Sequence, residues 1–503
     1  MRLVQFLGRR ETSLAVQSIT LTAARFVGFV FTFAIPLVLV RVFSQSEFGV
    51  YKQVFLVAVT VMQLLQLGMA PSLYYFVPRD EGGGRKYVMQ AAILMSLTGA
   101  LGGLAVLVGA PIIGRLFDTP AFVFYLPLIA LYILIATPAR LVSTVPTVHR
   151  RSAFAGSVLA ASDLVRATAV IAAALIGRSL EAVLWAAIGT EVLRAFGLAV
   201  YLRLWGGDSS ERPSFRSLVP QLRYALPFAV AMLFELGLDS FHQYYVAASV
   251  SASDFAIYAV GLLNVPVLGM MVHSVVEVMI IRASTAYRAG DLEELRRLWR
   301  TAVERLAVVI LPCWALGQVF AADAIGLLFG MAYLPSVPIL RVFLSTLLLL
   351  LIVDHGILRA TGDTGYVLKA LMLGFGASVV ALLVLTPKSM MLGAIAAYVV
   401  GLLVARLVGL VRVAHRLDVR VWSLVPLRSL ARIGAATAGA SIAATAAFAI
   451  EPTIPRLMAG GVLFAAIYGA LVYRWELVPR AELRALLARV PIRRVAGAGA
   501  GAS

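Results

Sequence analysis

Charge is what this sequence has least of. Of its 503 residues only 14% are Asp, Glu, Lys or Arg while 61% are hydrophobic, and the mean hydropathy is +0.93. Soluble domains carry about 25% charged residues, so a set of water-facing domains is excluded. A disordered chain, which needs low hydrophobicity and high charge, is excluded too. The single cysteine, Cys313, cannot form an internal disulfide, and its setting in Leu311-Pro-Cys-Trp-Ala-Leu316 reads as a passive core thiol. No Gly-x-x-x-x-Gly-Lys-Ser/Thr phosphate loop occurs, which weighs against ATP-driven transport by this chain. No catalytic motif and no metal-ligand spacing stand out, and no segment outside the apolar runs is long enough for a domain. That weighs against a membrane polymerase or ligase, which needs carboxylates on a sizeable soluble part.

Long apolar runs are what the sequence has instead. A helix needs about 20 apolar residues, at about 1.5 Å each, to cross a hydrocarbon core of roughly 30 Å. Fourteen stretches qualify, from Val16–Val40 at the start to Leu457–Tyr473 at the end. Backbone groups in lipid must be satisfied within the segment, so the expected fold class is all-α, a polytopic membrane protein of about fourteen transmembrane helices. The net charge of +18 would point to nucleic acid in a soluble chain. Here the basic residues sit in gaps between apolar runs, so topology explains them and no nucleic-acid partner is expected.

Placing the N-terminus inside puts 29 Lys and Arg in the inner segments and 6 in the outer loops, so both termini are expected in the cytosol. Trp205, Trp299, Trp422 and Trp475 flank the inner ends as an aromatic belt, and the amphipathic segment Asp291–Arg300 is expected to lie along the interface.

Two short motifs recur. Ser44-Gln-Ser-Glu47-Phe48-Gly-Val-Tyr51 returns as Ser251-Ala-Ser-Asp254-Phe255-Ala-Ile-Tyr258, and Ile113-Gly-Arg-Leu-Phe117 returns as Ile325-Gly-Leu-Leu-Phe329. An even number of spans separates each pair, which implies two parallel six-helix repeats with a substrate path between them. The expected organisation is a lobe over 1–205, a second over 206–415, and two extra helices with a basic cytosolic tail over 416–503.

Ten ionisable residues fall inside spans: Arg25, Asp163, Arg166, Glu191, Arg194, Glu235, Asp239, Glu277, Asp354 and Arg406. Leaving all of them in lipid would cost on the order of 30 kcal/mol on insertion scales, so they must face one another, water or the membrane edge. Asp163 with Arg166 and Glu191 with Arg194 are each three residues apart and can pair locally. They are either structural ion pairs or part of a cavity. Arg406 and Glu277 lie near inner ends, within snorkelling reach. Asp354 and His355 are adjacent and so point apart.

The seventh span is distinctive. Glu235, Asp239 and His242 share one helical face with no basic residue, the pattern of an H⁺ or Na⁺ coupling site, with His273 and Glu277 as a weak extension. The repeat offset maps Arg25 onto Met232, so the two halves differ in charge. A mid-membrane guanidinium suits a bidentate anion such as phosphate, and Arg25, Arg166 and Arg194 are the candidate substrate ligands. Pairing of Arg25 with the acidic face of the seventh span is the competing reading.

The sequence resembles the polysaccharide-repeat (O-antigen type) flippases of the multidrug/oligosaccharidyl-lipid/polysaccharide exporter superfamily. The resemblance rests on Arg41-Val-Phe-Ser-Gln-Ser-Glu47-Phe48-Gly49-Val-Tyr51, Gly68-Met-Ala-Pro-Ser-Leu-Tyr-Tyr-Phe-Val-Pro78-Arg79, Tyr224-Ala-Leu-Pro227, Phe329-Gly330-Met-Ala-Tyr333 and Ala360-Thr-Gly362-Asp363, and runs from about Ser18 to His415. It implies alternating-access translocation of a polyprenyl-pyrophosphate-linked oligosaccharide from the cytosolic to the outer leaflet of a bacterial inner membrane. No cofactor is implied beyond H⁺ or Na⁺ as a coupling ion. The implied partners are the lipid-linked glycan and the bilayer, with a polysaccharide polymerase and glycosyltransferases as further candidates. A lipid II flippase, a drug/cation antiporter and a non-transporting scaffold or polymerase subunit are the alternatives.

Overall fold

Where no water reaches the backbone, each peptide group has to bond within its own helix, and the computed structural model of the chain is built that way. It describes residues 14–80, 84–117, 120–205, 212–263, 266–478 and 480, with the side chains of 14–25, 120–121, 152–153, 205 and 266–267 outside the description. No strand occurs among the described residues. The helices in the first half of the chain are α1 (Leu14–Val42), α2 (Gln45–Leu65), α3 (Met69–Phe76), α4 (Arg85–Val108), α5 (Ala110–Phe117), α6 (Pro120–Phe124), α7 (Leu126–Ala139), α8 (Leu141–Val148), α9 (Ser152–Gly177) and α10 (Leu180–Trp205). Then come α11 (Phe215–Ala247), α12 (Ala252–Gly261), α13 (Pro266–Arg288), α14 (Leu292–Val319), α15 (Ala321–Phe329), α16 (Val337–Leu349), α17 (Asp354–Ala360), α18 (Thr364–Leu385) and α19 (Met390–Arg416). The last pair is α20 (Leu427–Ala444) and α21 (Thr453–Arg474).

Twelve helices of the described residues are long and apolar enough to cross a membrane, and Phe26–Val42 adds a shorter apolar one. Each of the fourteen expected stretches lies on a helix or on two or three closely spaced ones. The protein is a multi-pass membrane protein. The eighth stretch is broken, α12 ending at Gly261 and α13 starting at Pro266. The tenth is broken too, between Leu349 and Asp354.

Both echoes in the sequence become the same local structure. Ser44 and Ser251 cap α2 and α12, their hydroxyls accepting from the backbone N–H of Glu47 at 3.3 Å and Asp254 at 3.1 Å. The acid at the third helical position returns the bond in each case, the Ser44 hydroxyl and backbone N–H reaching Glu47 and the Ser251 hydroxyl reaching Asp254 at 2.7 Å. The capped helices then cross so closely that a Cβ on Gly49 would meet the Ala252 carbonyl, and Phe48, Phe255 and Tyr258 are fully buried around the crossing. The second echo forms α5 and α15. Phe117 of α5 stacks on Tyr244 of α11, centroids 6.3 Å apart. The Leu327 carbonyl of α15 accepts from Arg41 of α1 at 3.0 Å. At this end, then, each half of the chain holds the leading helix of the other.

At the opposite end α11 packs on α3 and α4: Tyr224 stacks on Tyr75 with centroids at 4.5 Å, and Gln221 donates to Ser72 at 3.0 Å. The last pair, α20 and α21, lies against α14, with Ser429 donating to Glu304 at 2.6 Å and the Tyr468 hydroxyl donating to the Val308 carbonyl at 2.7 Å. The amphipathic segment 291–300 corrects an expectation. It is the first part of α14, continuous with the span, and its Trp299 is 2% exposed with its indole N–H on the Leu424 carbonyl at 2.9 Å. Leu295 and Trp299 share one face and find an apolar partner in the turn after α19, so tertiary burial replaces interfacial lodging. Trp422 stays exposed.

Candidate functional site: two charged cavities

Helices α9 and α10 run side by side and bring their ionisable residues together. Glu191, 3% exposed, accepts from Arg194 at 2.9 Å and faces Arg166 at 3.8 Å. Arg194 also donates to Asp163 at 2.6 Å. Instead of two local pairs, the four residues form one network across two helices. Arg166, Glu191 and Arg194, with Arg140 and Tyr132, border a cavity of about 300 Å³ that also reaches Met62 and Gln66 of the α2 region. Among the described residues Arg140 has no ion-pair partner. The sequence reading missed Arg140 because it falls at the edge of the fourth apolar stretch, where a cation reads as an interfacial anchor. Arg25 lies on α1, and its side chain is outside the described residues.

The second half holds a cavity of the same size, about 300 Å³, bordered by Glu235, Asp239, His355, Tyr398 and Arg406. The acidic face expected from spacing is therefore present: Glu235 and Asp239, one turn apart on α11, both open onto it. The Tyr398 hydroxyl of α19 donates to Asp239 at 3.2 Å. Arg406 does not snorkel to the membrane edge; it pairs at 2.8 Å with Asp354, which is 1% exposed. The break before α17 places that carboxylate in the first turn of a half-helix, where the helix dipole favours a negative charge. A Cβ on Gly409 of α19 would strike the same carboxylate, so a glycine is what lets the two helices close on it. His355 borders the cavity, and contrary to the expectation that adjacent side chains point apart, its Nδ1 lies 3.7 Å from Asp354 Oδ2.

His242 stands apart from its two acidic neighbours. It is 2% exposed, shares a 2.5 Å hydrogen bond with the Tyr258 hydroxyl, and lays its ring against Tyr398 at 4.8 Å. Its ring reaches the cavity lining at Tyr398, a residue that sequence reasoning passes over because one aromatic in an apolar run carries no periodic signal. His273 and Glu277 pair with each other at 3.0 Å on an exposed stretch of α13 and border neither cavity.

The two sites have opposite polarity. Around the first, Arg140, Arg166 and Arg194 outnumber Asp163 and Glu191. Around the second, Glu235, Asp239 and Asp354 outnumber Arg406.

The fold is shared with solved membrane proteins. The chain is similar to a structure of the lipid II flippase MurJ in an inward closed conformation, with a TM-score of 0.70 at 11% identity over 92% of this chain and 100% of that one. It is similar to an inward-facing multidrug resistance MATE family transporter of the MOP superfamily, with a TM-score of 0.60 at 16% identity over 78% and 94%. It is also similar to a MOP superfamily transporter from Pyrococcus furiosus described as having a binding pocket of reversed polarity, with a TM-score of 0.54 at 14% identity over 80% and 95%. No curated protein matches the sequence. The superfamily fold that the motifs implied is thus the fold observed, and residues 38–338 match the model of a family described as polysaccharide biosynthesis protein, the family to which this chain belongs.

Proposed function

We propose that this protein is a flippase that carries a polyprenyl-pyrophosphate-linked oligosaccharide from the cytosolic to the outer leaflet of a bacterial inner membrane by alternating access. The observation that carries this reading is the pair of charged cavities of opposite sign inside a transporter-like fold. In this scheme 1–205 and 206–415 are two lobes that rock about the α2–α12 crossing, 416–503 is an accessory pair with a tail, and both termini are cytosolic. The cationic cavity receives the pyrophosphate. Arg140 is its uncompensated donor, Arg166 and Arg194 set the field, and Arg25 approaches from α1. The acidic cavity couples transport to an ion gradient, Glu235 and Asp239 taking H⁺ or Na⁺, with Tyr398 joining His242 to Asp239. A polymerase and glycosyltransferases would then act before and after the flip.

Lipid II is a second reading, supported by the fold shared with a lipid II flippase over that chain's full length. It offers the same polyprenyl pyrophosphate to the same arginines, and competition between the two lipids for flipping separates the readings. The test is flipping of a fluorescent lipid-linked oligosaccharide in proteoliposomes with an imposed gradient. Arg140→Gln should lose most of the activity in stable protein. Glu235→Gln with Asp239→Asn should abolish gradient dependence yet leave substrate binding intact. Normal flipping by Arg140→Gln, or unchanged gradient dependence in the double variant, would sink the corresponding assignment. Impermeant thiol labelling in a Cys313→Ala background reads the orientation, with Ser253→Cys expected to react from outside and Ser423→Cys not to.

A further inference from the structure

Two ionisable residues of α13 line neither charged cavity and yet stand in the open. His273 and Glu277 are 63% and 60% exposed on a helix long and apolar enough to cross the membrane, and the His273 Nε2 lies 3.0 Å from a Glu277 carboxylate oxygen. Ionisable groups are strongly unfavourable in hydrocarbon, so this flank of α13 faces water. The flank also has a definite beginning. Gly269, which has no side chain to block the way, borders the acidic cavity beside Glu235 and Asp239. His273 and Glu277 follow it at intervals of four residues, the spacing that keeps side chains on one side of a helix. The three therefore lead from the acidic cavity towards the Arg288 end of α13.

The other charges packed around α13 lie on different flanks. Val276 and Met279 meet Gly356 of α17, whose Asp354 is tied to Arg406 and whose His355 borders the acidic cavity. Ser274, Val278 and Arg282 border a crevice against α14 together with Glu294, Arg297 and Arg305. On α1, which also touches α13, the Arg25 side chain is outside the described residues.

We propose that His273 and Glu277 are a proton relay between the acidic cavity and the Arg288 end of α13, which makes H⁺ the coupling ion; this rests on the coupling role proposed for Glu235 and Asp239. An imidazole accepts a proton at one ring nitrogen while releasing one from the other, and Na⁺ has no such route. A proton leaving Asp239 or Glu235 crosses the water of the cavity to Nδ1 of His273. The Nε2 proton passes along the 3.0 Å contact to the Glu277 carboxylate, which releases it to water nearer Arg288. The ring is left neutral and resets by exchanging protons with the same water.

The test is proton flux in proteoliposomes that carry the full chain and a lipid-linked oligosaccharide, read with an interior pH dye while an imposed pH gradient drives flipping. In His273→Ala the flux that accompanies flipping should fall about tenfold or more, and imidazole, at a concentration that leaves the wild type unchanged, should restore much of it. Glu277→Gln should slow the flux comparably, and Ser274→Ala, on the neighbouring flank, should match the wild type. Wild-type flux in His273→Ala or in Glu277→Gln, a loss in stable His273→Ala protein that imidazole does not recover, or flipping driven by a Na⁺ gradient alone would each overturn the relay. Glu235→Gln with Asp239→Asn tests the coupling site apart from it: this variant should show no flux even with imidazole, and flux in it would sink the coupling site and the relay together.

Discussion

The two charged cavities differ less in size than in how their charges are satisfied. Each is about 300 Å³. In the first, the carboxylates are fixed: Glu191 lies between two guanidiniums, and Asp163 is held by one of them. In the second, one carboxylate is fixed and two are not. Asp354 is locked to Arg406, whereas Glu235 and Asp239 face open space, with a tyrosine hydroxyl on Asp239. A fixed carboxylate holds helices together, and an open one can exchange its partner. On this comparison the first cavity should be sensitive to loss of acids through stability, and the second through function.

The largest effect is expected at Glu191. Glu191→Gln leaves Arg166 and Arg194 facing each other with their shared counter-charge removed, and should destabilise the protein by about 3–5 kcal/mol, the usual result of breaking a buried pair. Thermal unfolding in detergent would register it, and a stable Glu191→Gln protein would break the comparison at its first term. Asp354→Asn should come next, at about 3 kcal/mol, because it takes the counter-charge from Arg406 alone, where Glu191→Gln takes it from Arg166 and leaves Arg194 only Asp163; a double variant with Arg406→Gln should recover part of that loss. Tyr398→Phe removes one hydrogen bond to a carboxylate that is not fixed and should cost about 1 kcal/mol, with a larger change in gradient dependence than in stability. A stability loss as large as that of Asp354→Asn would show that Asp239 is a fixed partner after all.

The smallest effect lies outside the membrane-spanning part. Asp363, in the turn between α17 and α18, accepts from Arg412 at 2.5 Å and Arg416 at 2.9 Å, and these hydrogen bonds hold its carboxyl below the usual range. A depressed folded-state value means that the contribution is present above the unfolded value, about 3.9, and is lost as pH falls through the folded one. Asp363→Asn should therefore lower stability equally at pH 7 and pH 5, by less than about 1 kcal/mol because solvent screens the pair. The difference from wild type should disappear in strong acid. A gap that widened on acidification would reverse the sign.

What the sequence made legible follows from range. The apolar stretches, the acidic face at Glu235 and Asp239, and both echoes are properties of a few consecutive turns, and a helix of fixed pitch turns spacing into geometry. The partners that decide each charge's role are not local. Asp163 reaches Arg194 across 31 residues, Asp354 reaches Arg406 across 52, and Tyr398 reaches Asp239 across 159. Spacing of three within α9 and within α10 predicted Asp163 with Arg166 and Glu191 with Arg194. The neighbouring helix offered Asp163 a better-placed guanidinium at 2.6 Å, and nothing in the chain order announces that. Trp299 went the same way, an interfacial residue by composition that is buried by a turn more than a hundred residues downstream.

The exchanged contacts at the Ser44 end bear on timing. Phe117 of the first half grips Tyr244 of the second, and the Leu327 carbonyl of the second grips Arg41 of the first, on either side of the crossing of α2 and α12. Two clasps that run in opposite directions act in parallel: a thermal excursion that frees one leaves the other engaged, and the freed one re-forms before its twin lets go. Parting at this end then requires coincidence, so it is rarer than either release alone by the product of their odds. A barrier made this way resists leakage without any single contact being strong.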